Sequence, residues 1–339
     1  MQPSVFTVSV GNLTVGGTGK TPHVEYLIRY LLKEQEQKEN SEPSKIATLS
    51  RGYGRKTKGF ILANKQTTAS QMGDEPMQFY QKFVLNNKLD NGTVNITVCE
   101  KRVLGVQKIL ELFPQTKTIL LDDAFQHRAI TPHFSILLSD YNRPFYEDFL
   151  LPMGRIRESR KGAKRANVVL VSKSPSNLID FSEERRQIIR KKINIYTKSP
   201  VFFTSFDYDK PISVLDNEEL KLEYNKKYSF GILTGIANYQ PFQNYIEKTF
   251  AHFGKLESQK NFPDHYNYTK KDIEFLKKTD SNLIWFTTEK DAVKLCPLVE
   301  SFSKEEQSKI SIFYIPIKVV FLDKQEEKHF QELIEEYKF

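Results

Sequence analysis

One segment limits the possible folds more than any other. Val5 to Val10 is a short apolar run. Gly11-Asn12-Leu13-Thr14-Val15-Gly16-Gly17-Thr18-Gly19-Lys20-Thr21 follows it directly. Beyond that turn, Val24, Leu27, Ile28, Leu31 and Leu32 fall on one side of a helical period. Buried strand, glycine turn, Gly-Lys-Thr and amphipathic helix together spell a phosphate-binding loop in an α/β fold. Backbone N–H groups of Thr14, Val15, Gly16, Gly17, Thr18 and Gly19 would converge on phosphate oxygens. Lys20 would add a mobile positive charge and Thr21 a hydroxyl for Mg2+. The usual pattern has glycine five residues before Gly19, where this chain has Thr14.

A second acidic signal supports the first. Thr118 to Leu121 is a largely apolar strand that ends in Asp122-Asp123 and runs on into Ala124-Phe125-Gln126-His127-Arg128. A buried strand ending in acid delivers a carboxylate to the metal side of a nucleotide site. Gly73-Asp74-Glu75-Pro76 precedes a helix from Met77 to Val84. There Asp74 serves either as a helix cap or, with Glu75, as one of two carboxylates handling a proton and a metal. Ser50-Arg51-Gly52-Tyr53-Gly54-Arg55 reads equally as a polar surface turn or as a phosphate-facing one. Ser172-Lys173-Ser174 only loosely resembles the guanine reader of GTPases, because the Asn and Asp of that motif are missing.

With 339 residues the chain has room for two domains. The expected division is a nucleotide-binding domain over 1–206, a charged linker over 207–227 and a smaller α/β domain over 228–339. The second domain holds a strand from Tyr228 to Thr234, the loop Phe262-Pro263-Asp264-His265-Tyr266, Thr287-Thr288-Glu289-Lys290-Asp291 after a strand, and a C-terminal helix. Glu34 to Ser44 reads as a loop. No run reaches the about 18 apolar residues that span a bilayer, and no secretory signal is visible. The net charge of +8 favours an anionic partner. No nucleic-acid recognition motif accompanies that charge. The basic run from Arg155 to Arg165 interleaves with Leu151, Met153 and Ile156, which suits a surface meeting anionic lipid.

Seven motifs in order resemble the tetraacyldisaccharide 4'-kinase family, the lipid A 4'-kinases of Gram-negative bacteria. They are the glycine loop, Ser50-Arg51-Gly52-Tyr53-Gly54, Gly73-Asp74-Glu75-Pro76, Leu121 to Arg128, Leu151-Pro152-Met153-Gly154-Arg155-Ile156-Arg157-Glu158, Phe262 to Tyr266, and Thr287 to Asp291. That family's loop also lacks the first glycine. The resemblance implies two α/β/α domains joined by a two-stranded linker, the larger of P-loop NTPase type. It also implies transfer of the γ-phosphate of ATP to the 4'-hydroxyl of tetraacyldisaccharide 1-phosphate. It assigns Asp74 as base with His265 as partner, Thr21 with Asp122 or Glu75 to Mg2+, and Arg51, Tyr53, Arg102, Gln126, His127, Arg157 and Glu158 to the lipid headgroup or cleft. Ala124 stands where many relatives have glycine. The family normally opens with an amphipathic helix ahead of the loop strand, whereas this chain starts at that strand. Attachment to the cytoplasmic face of the inner membrane is then expected to rest on the basic–apolar loop. The rival reading is a P-loop GTPase or metallochaperone-type switch protein.

Overall fold

A computed structural model describes residues 1–36, 45–85, 93–177, 181–278 and 283–338. In chain order the strands are β1 (Phe6–Asn12), β2 (Lys45–Ser50), β3 (Ile61–Leu62), β4 (Val94–Val98), β5 (Thr116–Asp122), β6 (Phe134–Asp140), β7 (Val168–Ser172), β8 (Val201–Tyr208), β9 (Ile212–Ser213), β10 (Tyr228–Thr234), β11 (Gly254–Asn261), β12 (Leu283–Thr288), β13 (Ile312–Ile315) and β14 (Ile317–Phe321). The helices are α1 (Lys20–Glu36), α2 (Ala69–Met72), α3 (Asp74–Tyr80), α4 (Arg102–Leu112), α5 (Glu183–Ile193), α6 (Gln240–Thr249), α7 (Lys270–Ile273), α8 (Glu289–Glu300), α9 (Lys304–Gln307) and α10 (Lys324–Glu336). Of the loop expected from Glu34 to Ser44, the first residues continue α1, and 37–44 lie outside the described residues.

The chain divides into two compact units, Met1–Asp207 with Lys318–Phe339, and Tyr208–Ile317. The first is built on a sheet ordered β14-β8-β7-β6-β1-β5-β2-β4-β3. Its central strands are parallel, with β1 between β5 and β6. All seven residues of β1 are buried, as a parallel strand covered on both faces requires. Successive side chains point to opposite layers. Leu137 of β6 packs with Ile189 and Ile193 of α5. Phe134, three residues earlier, lies against Phe330 and Tyr337 beside α10. After β1 the chain builds β2 to β5 on one side, β5 alongside β1, and then crosses to β6 on the other. The carboxyl end of β1 is therefore the place where such sheets bind ligands.

The second unit carries the sheet β11-β10-β12-β13-β9, parallel except for the antiparallel edge strand β9. It too has helices on both faces. Phe242 and Ile246 of α6 pack on Phe230, Ile232 and Phe286. Leu295 and Val299 of α8 pack on Leu233 and Trp285.

The boundaries differ from those expected. Residues from Tyr208 through 227 belong to the second unit, where Ile212–Ser213 adds its edge strand. The C-terminal residues from Lys318 belong to the first unit and not to a domain spanning 228–339. The chain changes unit within β8 and again at the start of β14, and these strands are sheet neighbours. The apolar stripe of α10 buries Phe330 and Ile334. Phe330 meets Tyr26 of α1 at 6.2 Å between ring centroids, and Tyr26 Oη donates to Glu327 at 2.8 Å. Replacing Phe330 with alanine should cost about 3–5 kcal/mol. In hydrogen exchange the lost protection should fall on α1 and β6. Loss confined to α6 and α8 would contradict this assignment.

Candidate active site

Just beyond β1 the chain pairs once more with a distant segment. Thr14 forms an antiparallel bridge with Ile156, Val15 N donates to Arg155 O at 2.8 Å, and Arg157 N donates to Leu13 O at 2.8 Å. That pairing explains the absent first glycine. Thr14 is bridged to Ile156 and does not have a positive φ, and the left-handed positions of the loop fall on Gly16 (φ +106°) and Gly19 (φ +85°). A Cβ on Gly19 would stand 2.4 Å from the Phe206 ring. Asn12 Nδ2 donates to Thr18 Oγ1 at 2.7 Å, and Ser172 Oγ donates to Thr18 O at 2.8 Å. Helix α1 then starts at Lys20, so its first N–H groups face the loop. Ser172, weighed as part of a guanine reader, is thus a brace for the loop. Its neighbour Lys173 pairs with Asp140 at 2.6 Å.

The two aspartates after β5 part ways. Asp123 takes a left-handed φ of +47° and meets two cations, Lys20 Nζ at 3.7 Å and Arg157 Nη2 at 3.0 Å. Burial alone would raise its pKa. The charges of Lys20 and Arg157 outweigh that and hold it below the usual carboxylate range. Asp122 is buried. Ser50 Oγ donates to its Oδ2 at 3.2 Å, whereas its Oδ1 is buried without a hydrogen-bond partner among the described residues. Burial first, and then the Asp123 charge, push its pKa up to about 6. An uncompensated buried carboxylate oxygen beside Lys20 is a position that a cation would relieve. Glu75 lies close enough to raise Asp122 further. Among the described residues, no group of three or more His, Cys, Asp or Glu forms a metal site by itself.

Most of the other predicted residues of the first unit gather here, several of them already engaged. Arg102 is buried. Its Nη1 donates to Cys99 O at 2.7 Å and its Nη2 to Asp122 O at 2.9 Å. Gln126 Nε2 bridges Asn12 O at 2.7 Å and Glu158 Oε1 at 3.1 Å. Glu158 also accepts from Arg165 at 2.6 Å and Arg128 at 3.2 Å. His127 is half-buried, and burial with the Arg102 and Arg51 charges lowers its pKa. Arg51 and Tyr53 are exposed. Arg55, in the same turn, is taken up by Glu100. Asp74 is not the cap of its helix. Gly73 (φ +95°) holds that position, packed on the Gly52–Tyr53 backbone, and Asp74 opens the first turn of α3. The helix expected over Met77 to Val84 runs over Asp74–Tyr80 with a π-helical turn, Gln81–Leu85.

In the second unit, His265 (φ +59°) lies in the loop after β11. Lys290 Nζ is 3.1 Å from His265 Nε2 and 3.0 Å from Asp264 Oδ1. Buried Asp291 anchors these loops by accepting from Gly235 N, Tyr268 Oη and Thr288 Oγ1.

The loop before Arg155 projects apolar side chains. Phe149, Leu150, Leu151 and Met153 are 60, 53, 52 and 85% exposed, whereas Ile156 is core. Asp148 holds its base, accepting from Arg143 Nε at 2.8 Å, Phe149 N at 2.8 Å and Arg155 N at 3.2 Å. Arg160, half-buried, donates to Asp148 O at 2.5 Å and so also holds this loop.

Residues missed by sequence reasoning are Asp123, which pairs with Lys20, the loop braces Asn12 and Ser172, and Phe206 against Gly19. Asp123 had the clearest signal, as the second of two acids ending a strand.

A lysine-led glycine loop at the end of a central parallel strand, facing acidic residues from the next strand, defines a P-loop α/β protein of the nucleotide-dependent kinase class. The LpxK family model, tetraacyldisaccharide-1-P 4'-kinase, matches residues 1–337. The tetraacyldisaccharide 4'-kinase of Flavobacterium psychrophilum is 42% identical over 97% of this chain and 86% of its own length. That of Flavobacterium johnsoniae is 40% identical over 94% and 84%. A crystal structure of LpxK from Aquifex aeolicus in complex with ATP superposes with a TM-score of 0.71 at 25% identity, covering 100% of this chain and 90% of that one. The chain belongs to the tetraacyldisaccharide 4'-kinase family, and the GTPase or metallochaperone alternative is not favoured.

The Asp122 environment yields a pH test. Its raised pKa means that ionising it costs native stability. This penalty is absent below about pH 4 and complete above about pH 6. It amounts to about 3 kcal/mol at most. In chelator-containing buffer, Asp122→Asn should therefore melt above the wild type at pH 8, with the gap closing toward pH 4. A gap independent of pH would refute the assignment.

Proposed function

We propose that the protein transfers the γ-phosphate of ATP to the 4'-hydroxyl of tetraacyldisaccharide 1-phosphate, giving lipid IVA. The observation that carries this reading is the braced phosphate loop with Lys20 held beside Asp123, in a chain of this kinase family. Lys20 exchanges Asp123 for the β- and γ-phosphates when nucleotide binds. The loop amides from Thr14 to Gly19 and the start of α1 receive the phosphate charge. Thr21 and Asp122, with Glu75 nearby, suit Mg2+, and the unpartnered Asp122 Oδ1 is the supporting feature. Mg2+, when bound, offsets charge on the phosphate oxygens.

Asp74 accepts the proton of the attacking 4'-hydroxyl, with His265 as its partner in that transfer. Arg51, Tyr53 and His127 meet the phosphorylated sugar. Arg102, Arg157, Gln126 and Glu158 hold the cleft in shape through the bonds described above. Family relatives are named for this acceptor, which supports it here.

The acceptor is a lipid, and the exposed Phe149–Met153 tip with Arg155 and Lys161 suits the anionic cytoplasmic face of the inner membrane. Among the described residues no helix is long and apolar enough to cross a membrane.

Lys20→Ala should abolish ATP-dependent phosphorylation of the lipid acceptor without loss of Tm. Normal turnover, or turnover with GTP in place of ATP, would sink the assignment. Asp74→Ala and His265→Ala should each lower kcat, with Asp74→Ala slower by roughly 10²–10⁴-fold. The double variant should be hardly slower than the worse single one. Fully multiplicative losses would mean that the two residues act apart. Leu151→Asp with Met153→Asp should reduce co-sedimentation with phosphatidylglycerol vesicles. Unchanged binding would remove this loop from the membrane face.

A further inference from the structure

His23 lies one turn into α1, fully enclosed, and none of the roles assigned above uses it. Both ring nitrogens are engaged. Nδ1 stands 2.7 Å from Gly19 O, and Nε2 stands 3.0 Å from Thr204 Oγ1 of β8. A carbonyl only accepts, so Nδ1 carries the proton. In the neutral ring Nε2 then accepts from the threonine hydroxyl. The backbone N–H of His23 also reaches Gly19 O, at 3.3 Å. One residue thus holds one carbonyl twice. Two positions along β8 from Thr204, on the same face, Phe206 lies against Gly19 and meets the His23 ring edge-on at 6.0 Å between centroids.

The consequence follows from peptide geometry. A trans peptide is planar, and its C=O and N–H point in opposite directions. Drawing the Gly19 carbonyl toward His23 turns the Lys20 N–H the other way, into the phosphate loop. Ser172 Oγ does the same one peptide earlier, since its bond to Thr18 O turns the Gly19 N–H inward. Gly19 tolerates this because its φ of +85° costs glycine little.

We propose that His23 is a positioning residue of the phosphate loop. Backed by Thr204 and Phe206, it fixes the Gly19 peptide so that the Lys20 amide meets the nucleotide phosphates. This rests on the nucleotide reading above, and it makes β8 a structural support of the nucleotide site.

The test compares His23→Phe, which keeps a ring and removes both polar atoms, with His23→Asn, whose side-chain N–H can replace Nδ1–H. Thr204→Val removes only the hydroxyl behind the ring. The Kd for ATP with Mg2+ is measured by calorimetry on the full chain, with Tm as control and the KM for the lipid acceptor as a second readout. His23→Phe should weaken ATP binding tenfold or more and leave the lipid KM within about twofold. His23→Asn should recover most of that loss, and Thr204→Val should fall between it and the wild type. The imidazole ¹⁵N shifts of wild-type His23 at pH 7 should show a protonated Nδ1 and a bare Nε2. If His23→Phe does not fold, His23→Asn, Thr204→Val and the ¹⁵N shifts still decide.

Unchanged ATP affinity in folded His23→Phe and Thr204→Val would overturn the proposal. So would equal losses in the Phe and Asn variants, or a proton found on Nε2. Failure of the wild type itself to bind ATP would instead sink the functional reading on which the proposal stands.

Discussion

The backbone pairing of Leu13–Val15 with Arg155–Arg157 is the contact on which the site depends. It supplies the order that a first glycine and a tight turn supply in other phosphate loops. It also joins two functions in one short ladder. One strand leads into the nucleotide loop. The other leads out of the apolar loop tethered by Asp148 and carries Arg157 back to Asn12 and Asp123. A shift of that apolar loop at its base would therefore move the phosphate loop. Backbone hydrogen bonds, unlike long side chains, have little slack to absorb such a shift.

Charge is distributed in the site with the same economy. Asp122 and Asp123 are neighbours in sequence, yet the left-handed turn at Asp123 separates their surroundings. Asp123 is satisfied by Lys20 and Arg157. Asp122 keeps one oxygen buried and unpaired. Burying an unpaired carboxylate destabilises a fold, and such costs concentrate where ligands bind. In the second unit, by contrast, buried Asp291 is fully hydrogen-bonded and holds three loop segments together. The first arrangement fits the cation and phosphate proposed above, and the second is scaffold.

Much of the architecture was legible in the sequence because it follows local rules. Apolar runs bounded by glycine marked β1 and β10, and the lysine-led turn marked the start of α1. Acids at a strand end marked Asp122. Other features depended on partners far along the chain. The stripe of α10 announced a buried helix without saying which sheet it covers, and it covers the first unit through Phe330 and Ile334. Ile156 looked like part of a lipid-facing run because it alternates with arginines. It is core because its backbone pairs with Thr14.

The sequence by itself determined the α/β class, the phosphate loop, the family and most residues near the site, since each is written in contiguous motifs with local physical meaning. Tertiary structure alone decided what those residues do. It committed Arg102 to two carbonyls and made Glu158 the centre of a cluster with Gln126, Arg128 and Arg165. It also turned His23, Thr204 and Ser172 into supports for the loop. The reason is geometric. A hydrogen bond needs its partners within about 3 Å, and 181 positions separate His23 from Thr204. Only the folded sheet brings them that close.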